Sequence, residues 1–361
     1  MIRELFYKGN IYLLLTIYFL LGVFLFQSYQ YFVSVDGICY ISIAHKYAVG
    51  DYQNAINGFW SPLLSWVLAP FAKFGFNPLN SLKGINLFVG AFVLIVINRI
   101  LLQQKISRHF RLIGLGVIAV EILFFSLTGS FPDLFLLLFV FLLYKQVVIN
   151  EEKTMTQALL LGVIGALGYF TKAYFFWFFL AIGIILFIWD LKSYPARRKG
   201  TLKKFAITLS VFFVFSSIWI VPVSLKYNQF KISSAGGFNH AILKYDKNPL
   251  YFSGITVPTT ETDISIAEEK TKLYLKMKTW SPFSSLDNSI LQLKIIVKNI
   301  IKSLWMLSLR NPLTIIIIFI SGYFIFNKRK DTSLRDYPLF QMFLFSSVFI
   351  SGYLLLIGLT P

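Results

Sequence analysis

The chain has 361 residues, 57% of them hydrophobic and only 14% charged, where an ordinary soluble domain carries about a quarter charged residues. Phe alone occurs 39 times, and nearly uncharged runs of about 18 residues or more recur along the chain, which marks a polytopic membrane protein. The net charge of +18 fits anionic lipid heads and orientation signals, and because the basic residues sit in short loops between apolar runs, no nucleic-acid partner is expected.

The first apolar run, 11–32, is too long for a signal peptide and lacks a small-residue cleavage site, so it is predicted to remain as the first span. Further spans are predicted at 79–102, 112–129, 133–149, 156–170, 174–190, 205–224, 313–327 and 338–358. The apolar stretch from 158 to 189 contains one charge, Lys172, and exceeds the ~20 residues of a single crossing helix. Splitting it at Thr171-Lys172 makes nine spans. With the N-terminus inside, the inner loops then collect Arg3, Lys8, Lys105, Arg108, Arg111, Lys145, Lys153, Lys192, the cluster 197–204 and Lys328 to Arg335. The short outer turns hold almost no Lys or Arg, which is the positive-inside asymmetry. Lys172 is thereby placed in an outer turn.

Two long segments fall outside. In the first, 33–78, SVDGICYISIAHKYAVG reads as a surface helix with Asp36 at or near the N-cap, apolar positions at Ile38, Ile41 and Tyr47 or Ala48, and Gly50 as its stop. SPLLSWVLAPFAKFG reads as a second short helix opening with Pro62. Both are expected to lie along the membrane surface. The second outer segment, about 225–312, is the only substantial polar region, and ends in a mixed, interfacial helix with Trp280, Lys294, Lys298 and Trp305. The organisation is thus a membrane core at 1–225, an extracytoplasmic segment at 226–312 and C-terminal spans at 313–361. The chain stops at Pro361 as the last span reaches the outside, which fits a short protein or one with further spans.

Several chemistries lack their residues. One cysteine, Cys39, rules out an internal disulfide. His45, His109 and His240 lie far apart without metal-ligand spacing. No glycine loop of nucleotide-hydrolase type is present, which argues against an ATP-driven pump, and no internal repeat of transporter type is visible. The remaining candidates are few. Asp36 follows the first span directly and is either an N-cap or a base, roles that are compatible because backbone donors keep a carboxylate ionised. Asp133, after Ser130 and Pro132, carries a helix-start signature, and a capping role is expected. Lys172 is either a snorkelling lysine or an anion contact at headgroup level. Glu121 lies mid-span in VIAVEILFF, as a working carboxylate or a protonated acid bonded to a neighbouring helix.

VDGICYISIAHKYAVGDY followed by WSPLLSWVLAPFAKFGF resembles the first outer loop of the membrane glycosyltransferases with a GT-C fold. More narrowly it is similar to glycosyltransferase family 39, the protein O-mannosyltransferases and aminoarabinose transferases. Asp36, Tyr40, Ala44, Gly50, Asp51, Pro62, Leu63 and Trp66 match the family pattern, as do Pro132-Asp133 and Phe170-Thr171-Lys172. The resemblance covers about 1–225. Two positions depart from it: Gly37 stands where the family has a second acid, and Ser61 where some lipid A transferases have a lysine.

The resemblance implies an all-α, GT-C-like transmembrane bundle in the cell inner (plasma) membrane, with the N-terminus cytoplasmic and the active site extracytoplasmic. It further implies transfer of a sugar from a polyprenyl-phosphate donor to a hydroxyl of a glycan, lipid or protein acceptor. Asp36 is then the base, and Lys172, Asp133, Tyr40, Asp51 and Trp60 are candidate substrate contacts, joined in the second outer segment by His240 and Glu261. Membrane lipids are expected partners, and no cofactor or divalent metal is expected. A glycosidase needs two carboxylates to protonate its leaving alcohol, whereas a lipid phosphate leaves unaided, so one base and one cation suffice. A flippase or transporter for a lipid-linked sugar, or an oligosaccharide polymerase or ligase, would share the topology.

Overall fold

The computed structural model describes residues 2–149, 154–193, 195–236, 282–310, 322–323 and 343–352, and every regular element among them is helical. In chain order these are α1 (Ile2–Tyr29), α2 (Val35–Ala48), α3 (Tyr52–Ala55), α4 (Leu63–Lys73), α5 (Pro78–Gln103) and α6 (Arg108–Thr128). They continue with α7 (Asp133–Tyr144, prolonged by a π-turn at Lys145–Ile149), α8 (Met155–Thr171), α9 (Tyr174–Ser193), α10 (Arg198–Tyr227) and α11 (Leu286–Arg310). Phe343–Gly352 is also helical.

Among the described residues five helices, α1, α5, α6, α9 and α10, are long and apolar enough to cross a membrane, as in a multi-pass membrane protein. The predicted spans 133–149 and 156–170 appear as the shorter α7 with its π-turn and the 17-residue α8. The division at Thr171-Lys172 is present: α8 ends at Thr171, Lys172 is extended (φ −149°, ψ 131°), and α9 begins at Tyr174. The predicted span 313–327, apart from 322–323, lies outside the described residues, as do 338–342 and 353–358 of the last predicted span.

The described residues fall into two packed units. The first draws on Met1–Ile56, Trp60–Phe175 and Ala206–Trp219. In it α5 packs against α1, α4, α6 and α7, with Leu82, Val93 and Leu94 fully buried. A charged side chain sits in this core. Lys83 is 1% exposed, and its ammonium donates to the carbonyls of Tyr29 (2.6 Å), Phe32 (2.8 Å) and Leu127 (2.6 Å). Carbonyls at helix C-termini have no intrahelical partner and carry the negative end of the dipole, so an ammonium is the natural counterpart. One turn further along α5, Asn86 donates from Nδ2 to the Gly129 carbonyl at 2.7 Å. Deeper in the bundle Ser126 Oγ meets the Tyr18 hydroxyl at 3.0 Å and donates to the Ile122 carbonyl at 2.7 Å. These bonds gather the end of α1, the start of α5 and the end of α6 at one end of the bundle.

Helices α2 and α4 form a lid-like pair at that end. Ser34 caps α2, with its hydroxyl accepting the Gly37 N–H at 3.1 Å. Gly50 stops the helix as expected. At φ +83° it donates to the Tyr47 carbonyl while Asp51 N–H reaches back to Lys46, a Schellman arrangement that the left-handed backbone of glycine allows. Of the apolar positions expected on α2, Ile38 is exposed, and the face packed on the protein is a different one: Cys39, Tyr40, Ile43 and Ala44 are buried, mostly against α4. Ser65 of α4 donates to the Tyr40 carbonyl at 3.0 Å, and Trp66 sets its ring edge-on to Phe170 of α8 (5.3 Å) and Trp219 of α10 (5.6 Å).

The second unit draws on Asn57–Phe59, Phe176–Phe205 and Ile220–Pro361. Its described part includes Gly58, whose carbonyl accepts from Ser234 N–H (2.7 Å) and the Ser233 hydroxyl (3.0 Å) and whose N–H donates to the Tyr227 hydroxyl (3.2 Å). Phe178 packs edge-on to Phe345 and Phe349.

Lys83→Met keeps most of the side-chain volume but takes the ammonium donor from the buried Leu127 carbonyl and from the part-buried Tyr29 and Phe32 carbonyls, of which Tyr29 keeps the Phe32 N–H. The buried group bears most of the cost, so a loss of about 1–3 kcal/mol is expected. A thermal unfolding midpoint in detergent unchanged from the wild type would contradict this clamp.

Candidate functional site

The end of the bundle gathered by Lys83 also gathers the candidate residues. Ser34, just before α2, donates its N–H to Ser130 Oγ at 3.0 Å, which ties the start of α2 to the loop between α6 and α7. Three residues on from Ser130, Asp133 opens α7. Its carboxylate forms an ion pair with the Lys172 ammonium from the break between α8 and α9. Asp36, the second residue of α2, lies within electrostatic reach of both. Residues spread over 136 positions of sequence, Asp36, Asp133 and Lys172, thus form one cluster.

Two expectations need correction. Asp36 is not the N-cap: Ser34 takes that place, and the Asp36 carboxylate is left accessible rather than bonded to backbone N–H groups. Both Ser and Asp are strong cap formers, and the Ser130 contact fixes Ser34 in the capping position. Asp133 does not cap either. Pro132 occupies the cap position without a side-chain bond, and the Asp133 carboxylate turns to Lys172 instead. As the first helical residue, one past the cap position held by Pro132, Asp133 is instead placed to meet the Lys172 ammonium.

Electrostatics in the cluster follow from burial and charge. Desolvation by the surrounding protein pushes the Asp36 carboxyl above its usual value; the Lys172 ammonium opposes that rise and the Asp133 carboxylate adds to it. Tyr40, one turn along α2 and 4% exposed, is raised well above the usual phenol value, first by burial and then by Asp36 and Asp133. Its ring meets Trp60 edge-on at 5.2 Å, which places two predicted contacts, Tyr40 and Trp60, beside the carboxylates. Lys172 and Asp133 are each about one-third exposed, 33% and 31%, so their pair is open to exchange with an incoming anion.

Gly37 accounts for the missing second acid. A Cβ built there would overlap the Ser130 side chain and lie 3.0 Å from the Ser130 carbonyl. Only glycine lets α2 come this close to the loop that carries Asp133. Asp51, by contrast, caps α3: its carboxylate accepts from Asn54 Nδ2 at 2.9 and 3.1 Å. His240 and Glu261 lie outside the described residues. Among the described residues no three His, Cys, Asp or Glu side chains gather in the manner of a metal site.

Sequence reasoning missed Lys83, Ser34 and Ser130. Lys83 carried a readable signal, a lysine inside the predicted span 79–102, where a charge is expensive and points to a buried partner.

No protein-family model matches the chain, and no curated protein or solved structure matches it either.

Gly37→Ala forces α2 away from Ser130, and a loss of about 1–3 kcal/mol is expected, as for other overpacked contacts. In a Ser130→Gly background, which lacks both the blocking side chain and the Ser34 tie, the same Gly37→Ala change should cost much less. If Gly37→Ala lowers the melting point equally in both backgrounds, the close approach to the Ser130 side chain is not the reason for glycine.

Proposed function

We propose that this chain is an integral-membrane glycosyltransferase that moves a sugar from a polyprenyl-phosphate donor to an acceptor hydroxyl. The observation that carries this reading is the uncapped, accessible Asp36 beside the Asp133–Lys172 pair, at one end of a helical membrane bundle. The quoted resemblance to family 39 adds the substrate class. The charge asymmetry of the loops supports an extracytoplasmic site in the plasma membrane.

In this reading Asp36 takes the proton of the acceptor hydroxyl as its oxygen attacks the anomeric carbon. The bond from that carbon to the phosphate oxygen breaks, its electron pair leaves with the phosphate, and the configuration inverts. Lys172 turns from Asp133 to the phosphate and stabilises the charge that grows there. Asp133 holds the ammonium in place until then. Raising the carboxyl of Asp36 by burial suits its role, because a stronger base accepts a proton more readily. Trp60, partly exposed and backed edge-on by the buried Tyr40 ring, offers an aromatic face near the carboxylates for a sugar ring. A flippase for the same lipid would have the Lys172 contact but no use for a base.

Incubating membranes with labelled polyprenyl-phosphate sugars tests the assignment directly. Asp36→Asn should insert normally and lose transfer by at least about a hundredfold, the lower scale of general-base catalysis. Transfer at the wild-type rate would exclude the base. Label that crosses the membrane without being transferred would favour the flippase.

The pH profile gives a second test. Only ionised Asp36 accepts a proton, so transfer rises with pH through its raised pKa and then levels. Lys172→Ala removes the cation that holds this pKa down, so the acid limb should move to higher pH. Asp133→Asn removes a like charge, and the limb should move to lower pH. Superimposable limbs in all three proteins would show that Asp36 does not control the rate.

A further inference from the structure

Glu121 has no role in the cluster just described. It lies in α6, seven residues and about 10 Å before the helix ends at Thr128 and about 20 Å after the start at Arg108. That is well inside a hydrocarbon core of about 30 Å. The sequence leaves two readings, a working carboxylate or a protonated acid bonded to a neighbouring helix. In the structure Glu121 is exposed, and no hydrogen bond or ion pair reaches its carboxylate among the described residues.

Its surroundings form a continuous outward face. Phe110, Ile113, Val117, Val120 and Phe124 are all exposed and recur at the spacing of one helical side. Leu115, Ile122, Leu123, Ser126 and Leu127 point the other way, into the bundle. Seven residues before Glu121, on the same side of the helix, Gly114 leaves a notch: nothing lies within 4 Å of where its Cβ would be. A polar side chain and a small residue on one exposed helix face are the two features by which helices associate in a membrane, the first through hydrogen bonding and the second through close backbone approach.

An ionised carboxylate facing lipid at this depth is strongly disfavoured, and a neutral carboxyl still carries a donor and acceptors that lipid cannot satisfy. A second copy of the chain supplies the missing partner. Two copies related by a twofold axis along the membrane normal bring the same residue to the same depth, and a neutral carboxyl is self-complementary, donor and acceptor at once. We propose that α6 is the seam of a homodimer, in which the Glu121 carboxyls of the two copies hydrogen-bond to each other inside the membrane and Gly114 lets the two helices approach. This inference is independent of the proposed reaction.

Disulfide trapping in liposomes tests it, in full-length protein whose single cysteine is removed by Cys39→Ser. Val117→Cys, on the exposed face, should yield a crosslinked dimer on oxidation, whereas Leu123→Cys, on the buried face, should stay monomeric. Adding Glu121→Leu should lower the dimer yield about tenfold, the scale of one interhelical polar contact. Glu121→Gln should preserve it, since a carboxamide also donates and accepts. Energy transfer between singly labelled wild-type copies in the same liposomes gives a reading that does not depend on any α6 variant folding. Monomeric wild-type protein, or equal crosslinking with Glu121→Leu, would overturn the proposal. The first result would assign the face to lipid or to a different protein, and the second would reduce it to apolar contact.

Discussion

Backbone carbonyls at helix C-termini have no intrahelical partner, and two such ends in this bundle share one ammonium. Lys83 reaches across from α5 to the carbonyls of Tyr29 at the end of α1, of Phe32 just beyond it and of Leu127 in α6. Its charge meets the negative ends of two helix dipoles and a third carbonyl, which is how a lysine is tolerated at 1% exposure. Everything at the candidate site hangs from the two strands of chain so anchored. One leads within a few residues to Ser34 and Asp36, the other to Ser130 and Asp133. Because the anchor is central and the working groups are peripheral, Asp36 and Lys172 remain accessible while the helices under them are held.

The division of labour between neighbouring polar residues follows from this anchoring. Ser34 and Asp36 could each have capped α2, and the hydroxyl does so because Ser130 also holds the Ser34 backbone. The carboxylate is thereby released from structural duty. Likewise the Asp133 carboxylate is turned from the helix it opens to the Lys172 ammonium. In both cases the residue type was suited to a cap, and the tertiary contact decided otherwise.

Much of the architecture was legible in the sequence because hydropathy and charge report directly on membrane helices. The break at Thr171-Lys172 was recoverable from loop charges alone, and the stop at Gly50 from its residue type. The inward face of α2 was not legible, because Ile38 and Cys39 are both apolar and only packing against α4 tells them apart. Asp36, Asp133 and Lys172 were each visible as unusual charges, but their meeting depends on the tie between Ser34 and Ser130, which no local pattern encodes. Lys83 was visible as a charge inside a predicted span, but its partners, carbonyls at the ends of α1 and α6, are set by tertiary packing and not by local sequence.

The solitary carboxylate on α2 has a consequence for timing. With Gly37 in place of an acid, Asp36, Asp133 and Lys172 together bear one net negative charge when all are ionised. In the proposed reaction that charge vanishes from the protein as Asp36 takes up the acceptor's proton, at the moment when the departing phosphate gains its own. Negative charge is handed across the site rather than accumulated in it. A second acid beside Asp36 would have left a residual field that repels the phosphate throughout the transfer.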